Sequence, residues 1–149
     1  MSEEKKKRKK IFVEGAISSQ FIGESIAKHS TKTSIGAHQI FLGQIRADII
    51  EGKKTKAIDF TTYQEMAEEE YYQLREELFL KYDLTCMHVY HSLGMVNAGE
   101  INLFIFVSSK HRRQSIDACA ELVEMIKKRL PIWGKEIFDD ENYNWKTNN

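Results

Sequence analysis

The chain has 149 residues, a length that suits one domain with a hydrophobic core of its own. Its 22 basic and 22 acidic residues balance, so the overall charge favours neither a nucleic acid nor an anionic membrane surface as a partner. No apolar run approaches the roughly 20 residues that a membrane-spanning helix requires.

Basic residues are concentrated only at the N-terminus, where positions 5–10 are all lysine or arginine. Such a run is typical of a solvated tail, so we expect residues 1–10 to be a disordered basic tail and residues 11–149 to form one domain. The two cysteines, Cys86 and Cys119, lie within apolar patterns and lack the spacing of metal ligands. They predict buried free thiols in a protein of the reducing cytoplasm.

Hydrophobic periodicity predicts an α+β domain. In chain order, the predicted elements are a strand over 11–17, a short helix carrying Phe21, Ile22, Ile26 and Ala27, a loop over 30–37, a strand over 38–45, a mobile loop over 49–56, a strand over 57–63, a helix over 65–82, strands over 84–91 and 101–107, and a helix over 112–130. Ser18 or Ser19 can cap the first helix, and Pro131 ends the last one. Gly94 and Gly99 indicate a turn between the last two strands.

The last helix carries a lysine at an unexpected position. Its predicted core-facing stripe, at steps of three and four residues, consists of Ile116, Cys119, Ala120, Val123, Ile126 and Leu130. At about 100° per residue, Lys127 falls about 20° from Ile116, whereas Lys128 points towards water. Burying an ammonium group is costly, so Lys127 must extend its amine to solvent, pair with an acid or take part in chemistry.

The start of the same helix concentrates basic residues. Ser108 and Ser109 precede the run 110–113, which reads Lys-His-Arg-Arg. A helix start presents free N–H groups and the positive end of the helix dipole, so it normally favours acidic residues. This run therefore indicates a site for a phosphate or a carboxylate, with solvent exposure of the basic side chains as the alternative. Arg46, just past a strand that contains Gly43, is a further candidate.

Several other classes of site are not indicated. His88 and His91 are three residues apart on a predicted strand, so they face opposite sides and do not predict a shared zinc site. The sequence contains no glycine-rich phosphate loop, no nucleophile elbow and no Cys-His-acid pattern. We therefore expect no metal and no cofactor.

Taken together, three strings of residues resemble one known family. They are Gly-Gln-Ile-Arg at 43–46, Ser-Ser-Lys-His-Arg-Arg at 108–113 and Lys-Lys-Arg-Leu-Pro-Ile-Trp-Gly-Lys-Glu at 127–136, and Tyr63, Met66, His91, Gly94, Gly99, Glu100 and Trp145 fit as well. The chain after the basic tail resembles the large, catalytic subunit of molybdopterin synthase. The combination of a His-Arg helix start with a Lys-x-x-x-Pro-x-Trp ending is the specific part of this likeness.

The resemblance implies a single-domain α/β hammerhead-type α+β fold with a mostly antiparallel sheet and packed helices. It also implies a cytoplasmic sulfurtransferase whose large subunits form a homodimer within a heterotetramer. Each large subunit binds a small ubiquitin-like sulfur-carrier subunit, whose C-terminal thiocarboxylate delivers sulfur to cyclic pyranopterin monophosphate. Two such transfers form the dithiolene of molybdopterin.

The resemblance further implies the residues of the site. Lys127 and Lys135 are the expected catalytic residues, and the expected substrate-binding residues are Gln44, Ile45, Arg46, His111, Arg112, Lys127, Gly134, Lys135 and Glu136. We expect Lys127, Arg46, His111 and Arg112 to meet at one anion-binding pocket. Such cations can bind a phosphate and a thiocarboxylate and stabilise developing negative charge.

Three departures from the family pattern leave alternatives open. Gly134 stands where many relatives have a second functional lysine. Either Lys135 reaches the same pocket because the glycine lets the backbone turn, or activity rests on Lys127 with a weaker partner. Ser92 stands where arginine is common, and a late arginine lacks a clear counterpart near Asn149. Gly134 keeps open a non-catalytic module that binds a ubiquitin-like tail. A nucleic-acid binder is the other alternative, against which the balanced charge argues.

Overall fold

The computed structural model describes residues 10–146. The predicted basic tail therefore lies almost wholly outside the described residues, as do residues 147–149. Among the described residues, no helix is both long and apolar enough to cross a membrane.

Eight strands and three helices make up the described part of the chain. The strands are β1 (Phe12–Glu14), β2 (Ala37–Gln44), β3 (Ile49–Ile50), β4 (Lys53–Thr62), β5 (Cys86–Asn97), β6 (Ile101–Ser109), β7 (Ile132–Phe138) and β8 (Tyr143–Trp145), and the helices are α1 (Ser19–Lys28), α2 (Gln64–Lys81) and α3 (Arg112–Arg129). The predicted α+β class is confirmed, and Ser18 caps α1 by accepting a hydrogen bond from the backbone N–H of Phe21 at 3.1 Å.

The strands form one mostly antiparallel sheet in the order β2-β6-β5-β4-β7-β8. Strand β1 pairs in parallel with the middle of β5, from His91 to Leu93, and β4 pairs with its last part, from Gly94 to Asn97. The change of partner occurs at Gly94, whose φ of +80° is accessible to glycine at little cost. Gly94 therefore lies within a long strand and not in the turn that we predicted.

The helices cover both faces of the sheet. Because side chains alternate along a strand, Leu103, Ile105 and Val107 of β6 face the core beneath α2 and α3. Phe104 and Phe106 face the opposite side, where they pack with residues of α1. This division into two faces fixes which side chains can share a site.

The loop predicted over 49–56 is instead a hairpin of β3 and β4. Ile50 pairs with Lys53, and the two residues between them, Glu51 and Gly52, have positive φ values of 52° and 78°. Two positive φ values define the tight turn whose twist suits a hairpin. The prediction was wrong because a Glu-Gly pair is a weaker turn signal than Asn-Gly or Asp-Gly.

The strands after Pro131 were not predicted. Strand β7 pairs with β4 over most of its length, and β8 then pairs with β7 at the end of the sheet. Short strands carry little hydrophobic periodicity of their own, since their pairing is decided by distant residues. These two strands nevertheless build part of the candidate site.

Candidate active site

Lys127 lies in the last turn of α3, next to the half-buried Val123 but outside the buried stripe, about 80° around the helix from its nearest member, Cys119. The buried residues of this helix are Ser115, Ala118, Cys119, Leu122 and Ile126. Ile116 and Ala120 are exposed, so the stripe is rotated from the predicted one. Hydrophobic periodicity did not predict this rotation, because Ser115 is polar. Ser115 can nevertheless be buried, since its N–H donates to the Ser109 hydroxyl at 3.1 Å.

Lys127 is exposed as a residue, yet its ammonium group is partly withdrawn from water. This burial lowers the pKa of Lys127, and the positive charge of Lys146 lowers it further, while Glu124 acts in the opposite direction. A lysine with a lowered pKa provides neutral amine at a lower pH than an ordinary surface lysine does. Lys127 therefore combines access to solvent with an amine suited to proton transfer or nucleophilic attack.

His91 of β5 lies near Lys127 and is 6% exposed. Burial lowers the pKa of His91 to about 4, and the charge of Lys127 contributes in the same direction. The ring Nδ1 lies 2.8 Å from the backbone oxygen of Ser92, which can only accept, so Nδ1 carries the proton and Nε2 the lone pair. A neutral imidazole thus lies beside the Lys127 amine.

The departure at Gly134 has a steric cause. Phe60 packs edge-on against His91, with ring centroids 5.0 Å apart. A Cβ atom at Gly134 would lie 2.8 Å from Cγ2 of Ile58 and 3.3 Å from the Phe60 ring. Because Ile58 is buried, it has little room to move. In this chain the Phe60 and Ile58 side chains occupy the space that a side chain at 134 would need.

Lys146, just after β8, supplies a cation that sequence reasoning missed. Its backbone N–H donates to the carbonyl of Gly134 at 2.9 Å, and its Nζ lies 3.8 Å from Asp48. Asp48 also accepts from Arg46, at 2.6 and 3.2 Å. Together with the effect of Lys146 on Lys127, these contacts define the Lys127 cluster: Lys127, Lys146, Arg46 and Asp48. Trp145 was the signal in the sequence, since its family likeness extended to the residue before Lys146.

Three further predicted substrate-binding residues, Gln44, Ile45 and Glu136, lie near Arg46 in the chain or in space. Gln44 ends β2 next to a bulge and is exposed, while Ile45 is buried and its N–H donates to the carbonyl of Glu100 at 2.9 Å. Glu136 is buried and accepts a hydrogen bond from the hydroxyl of Thr55. The pKa of Arg46 is raised by its hydrogen bond to Asp48, to which the charges of Asp48 and Glu136 add.

Lys135 lies on the other face of β7 from Gly134. Its Nζ sits 4.7 Å from the ring centroid of Tyr143 and 5.9 Å from that of Trp145, in cation–π contact. Gly134 faces Phe60 and Ile58, and side chains of adjacent strand residues point to opposite faces. The backbone turn that would bring Lys135 to the side of Gly134 is absent, since β7 is a regular strand over 132–138.

His111 and Arg112 lie at the far end of α3 from Lys127. Both are exposed at its N-terminus, and the Ser109 hydroxyl next to them donates to the carbonyl of His111 at 2.6 Å. From His111 to Lys127 the chain advances about 24 Å, since a helix rises 1.5 Å per residue. Within the described residues of a single chain, His111 and Arg112 therefore do not share a pocket with Lys127. We had expected these three residues and Arg46 to meet.

The fold and the Lys127 cluster define an α+β domain suited to binding anions beside a lysine with a lowered pKa. The family model described as MoaE protein matches residues 17–129. The chain is 34% identical over 122 residues to the molybdopterin synthase catalytic subunit of Pyrococcus abyssi, a match that covers 82% of this chain and 81% of that protein. The human protein of the same name is 35% identical over 113 residues, which are 76% of this chain and 59% of the human protein.

Solved structures agree with this result. Molybdopterin synthase from Staphylococcus aureus superposes with a TM-score of 0.79 and 29% identity, covering 91% of this chain and 95% of that one. A complex of subunits 1 and 2 of the molybdopterin-converting factor from Helicobacter pylori has a TM-score of 0.78, covers 91% of this chain and 88% of that one, and at 16% identity supports the fold alone. The chain belongs to the MoaE protein family, so the predicted resemblance and fold are confirmed.

Proposed function

We propose that this chain is the catalytic subunit of a molybdopterin synthase, a sulfurtransferase of molybdenum cofactor biosynthesis. It transfers sulfur from the thiocarboxylated C-terminus of a small ubiquitin-like carrier to cyclic pyranopterin monophosphate. The observation that carries this proposal is Lys127, which lies in the motif that resembles the family's catalytic lysine motif, within the residues that the family model matches, and has a lowered pKa beside the cation of Lys146.

The charges of the Lys127 cluster suit both reactants. The pterin substrate carries a phosphate, and the carrier tail arrives as a thiocarboxylate and leaves as a carboxylate. Arg46 and Lys146 flank Asp48, and the charge of Lys146 also acts on Lys127. Positive groups fixed in this way bind the anions and stabilise the charge that develops during transfer.

Lys127 then acts on the reacting atoms. The thiocarboxylate sulfur attacks an electrophilic pterin carbon, and the C–O bond at that carbon breaks as its oxygen takes up a proton and leaves, which joins tail and pterin through a thioester. The neutral Lys127 amine then accepts a proton from the water that attacks the thioester carbonyl, so that the tail leaves as a carboxylate and the sulfur stays on the pterin. His91 is buried and neutral near neutral pH, so it adds no further positive charge beside the Lys127 amine.

A homodimer accounts for the distance between the two ends of α3. Strand β2 is at the edge of the described sheet, and its Phe41 and Leu42 are exposed. Its first residue, Ala37, pairs with Ser109 near His111 and Arg112, whereas its last residue precedes Arg46 by two positions. Two β2 strands paired antiparallel about a two-fold axis would place His111 and Arg112 of one protomer beside Arg46 of the other.

The strand has the right length for this arrangement. Its eight residues span about 27 Å at 3.4 Å per residue, close to the separation of about 24 Å along α3. The active site is then completed by two chains, and each end of the dimer carries one full set of cations. A carrier subunit bound at each end gives the heterotetramer.

The lack of a side chain at Gly134 does not favour a non-catalytic binding module. Lys146 supplies a second cation near Lys127, and Gly134 accepts the hydrogen bond that fixes the backbone of Lys146. We place this activity in the cytoplasm, since both Cys86 and Cys119 are buried free thiols, as expected in a reducing compartment.

The test is sulfur transfer in solution. The chain is incubated with thiocarboxylated carrier and cyclic pyranopterin monophosphate, and the pterin products are identified by mass spectrometry. We expect two sulfur atoms to be added, and Lys127→Ala to lower the rate by about 10²–10⁴-fold while leaving the thermal unfolding temperature unchanged.

Lys128→Ala is the matched control, because Lys128 is the exposed neighbour in the same helical turn. It should retain the full rate. Product formation by Lys127→Ala at the rate of the unsubstituted chain would refute the role of this lysine, and no sulfur transfer by the unsubstituted chain would refute the proposed function.

A further inference from the structure

Three potential metal ligands meet on the face of the sheet opposite the Lys127 cluster. Cys86 and His88 are two residues apart on β5, so their side chains point to the same face. His29, directly after α1, lies above them. One ligand atom from each of His29, Cys86 and His88 lies within 4.8 Å of the other two. The sequence argument against zinc concerned His88 with His91, which do face opposite sides, and it did not consider His29.

The two imidazoles already point their Nε2 atoms at each other, 3.0 Å apart. Two nitrogen ligands of a tetrahedral zinc ion lie about 3.3 Å apart, as zinc–nitrogen bonds of about 2.05 Å require. A sulfur and a nitrogen ligand lie about 3.6 Å apart for the same reason. The distances between ligand atoms thus need to change by at most about 1.2 Å, which side-chain torsions can provide.

The surroundings of His29 favour the tautomer that binds a metal. Its Nδ1 lies 2.8 Å from the backbone oxygen of Ser25, and a carbonyl oxygen can only accept. The proton is therefore on Nδ1, and the lone pair is on Nε2, facing His88. Metal-binding histidines are commonly oriented by this kind of hydrogen bond from the other ring nitrogen.

The thiol of Cys86 also has a suitable environment. The residue is 5% exposed, and the Nζ of Lys32 lies 3.1 Å from its sulfur. A cationic donor at this distance offsets part of the negative charge that a metal-bound thiolate carries. His38 borders the three ligands, with its ring centroid 6.1 Å from that of His29, and can supply a third imidazole as the fourth ligand.

We propose that His29, Cys86 and His88 bind one zinc ion per chain. Two imidazole nitrogens and one thiolate suit zinc, whereas calcium and magnesium require oxygen ligands. The ion would tie the end of α1 to β5, two segments that are 59 residues apart between His29 and His88. Its role is structural, since the sulfur-transfer residues lie on the other face of the sheet.

The test uses the full-length chain without a histidine tag, freed of metal by a chelator. Zinc chloride is titrated in competition with a chromophoric zinc chelator, and thermal unfolding is recorded with and without zinc. We expect one zinc ion per chain and a higher unfolding temperature, because a ligand that binds only the folded state stabilises it. Cobalt chloride should give a thiolate-to-cobalt charge-transfer band, which reports sulfur coordination directly.

Cys86→Ala should abolish the charge-transfer band and weaken zinc binding by at least tenfold. Cys119→Ala is the matched control, since Cys119 is a buried free thiol in the core beneath α3, and it should change neither. His29→Gln provides a second variant in case Cys86→Ala fails to fold, and it should weaken zinc binding similarly. Absence of saturable zinc binding by the unsubstituted chain, or equal binding by Cys86→Ala and His29→Gln, would overturn the proposal.

Discussion

At the scale of single residues, the most unusual feature is that two lysines, Lys127 and Lys146, lie close enough for one to affect the pKa of the other. Lys146 lowers the pKa of Lys127 although the burial of Lys127 is the larger cause. Asp48 lies near enough to Lys146 to offset part of its charge, at 3.8 Å. We therefore infer that Lys146 tunes the Lys127 amine, the proposed catalytic group.

Replacing Lys146 by alanine should shift the pH dependence of sulfur transfer. Without the second positive charge the pKa of Lys127 rises, so neutral amine becomes available only at higher pH. The rising limb of kcat/KM against pH should therefore move to higher pH in Lys146→Ala, and Lys146→Arg should restore it. A limb that stays in place, as we expect for the control Lys128→Ala, would show that Lys146 does not tune Lys127.

His91 makes folding stability depend on pH. Its pKa is about 4 in the folded chain and about 6.5 when unfolded, so the unfolded state binds more protons as the pH falls below 6.5. Stability is therefore complete above pH 6.5 and is lost as the pH falls towards 4. Between pH 7 and pH 5 this histidine should cost about 2 kcal/mol of unfolding free energy.

Urea unfolding at pH 7 and pH 5 measures this loss, with His91→Gln as the variant that has no titrating ring. The variant should lose about 2 kcal/mol less than the unsubstituted chain between the two pH values. Equal losses in the two proteins would mean that His91 is not held neutral by burial.

At the scale of elements, β7 and β8 decide the shape of the site. Gly134 brings β7 close against Ile58 and Phe60 of β4, and β8 then positions Lys146 through the carbonyl of Gly134. The missing side chain at 134 and the cation at 146 are thus two consequences of one packing arrangement.

Gly134→Ala should destabilise the fold by about 1–3 kcal/mol, because its Cβ would crowd a packed core. Gly23→Ala is the control, since nothing lies within 4 Å of a Cβ placed there on α1. That substitution should be neutral or stabilise the chain by up to about 1 kcal/mol, because alanine favours a helix. Chemical denaturation compares the two, and equal stability of both variants would contradict tight packing at Gly134.

The elements differ in how far the sequence predicts them. Helix α3 and the strands β5 and β6 have apolar patterns that suffice to find them. The pattern also singled out Lys127, although it relied on Ile116, which is exposed. Strands β7 and β8 were missed, as was Lys146, because β7 pairs with β4, at least 70 residues earlier in the chain, and β8 pairs only with β7. The sequence identified His111 and Arg112 as part of a basic helix start. Their distance from Lys127 follows from the length of α3, which the expectation of one pocket did not take into account.

The whole molecule explains how these separated residues can act together. In one chain, Lys127 lies at the end of α3, whereas His111 and Arg112 lie at its start. The proposed two-fold arrangement through β2 would bring these two ends together from different chains. We therefore propose that catalysis takes place at a site shared by two protomers, around Lys127.

Mixing two inactive variants tests this claim most directly. Lys127→Ala and Arg112→Ala chains are each assayed alone for sulfur transfer, then unfolded, mixed in equal amounts and refolded together. If two chains form each site, half of the dimers are mixed and each carries one intact site, so about a quarter of the full activity should return. If each site lies within one chain, no intact site can form, and a mixture as inactive as its components would contradict the shared site.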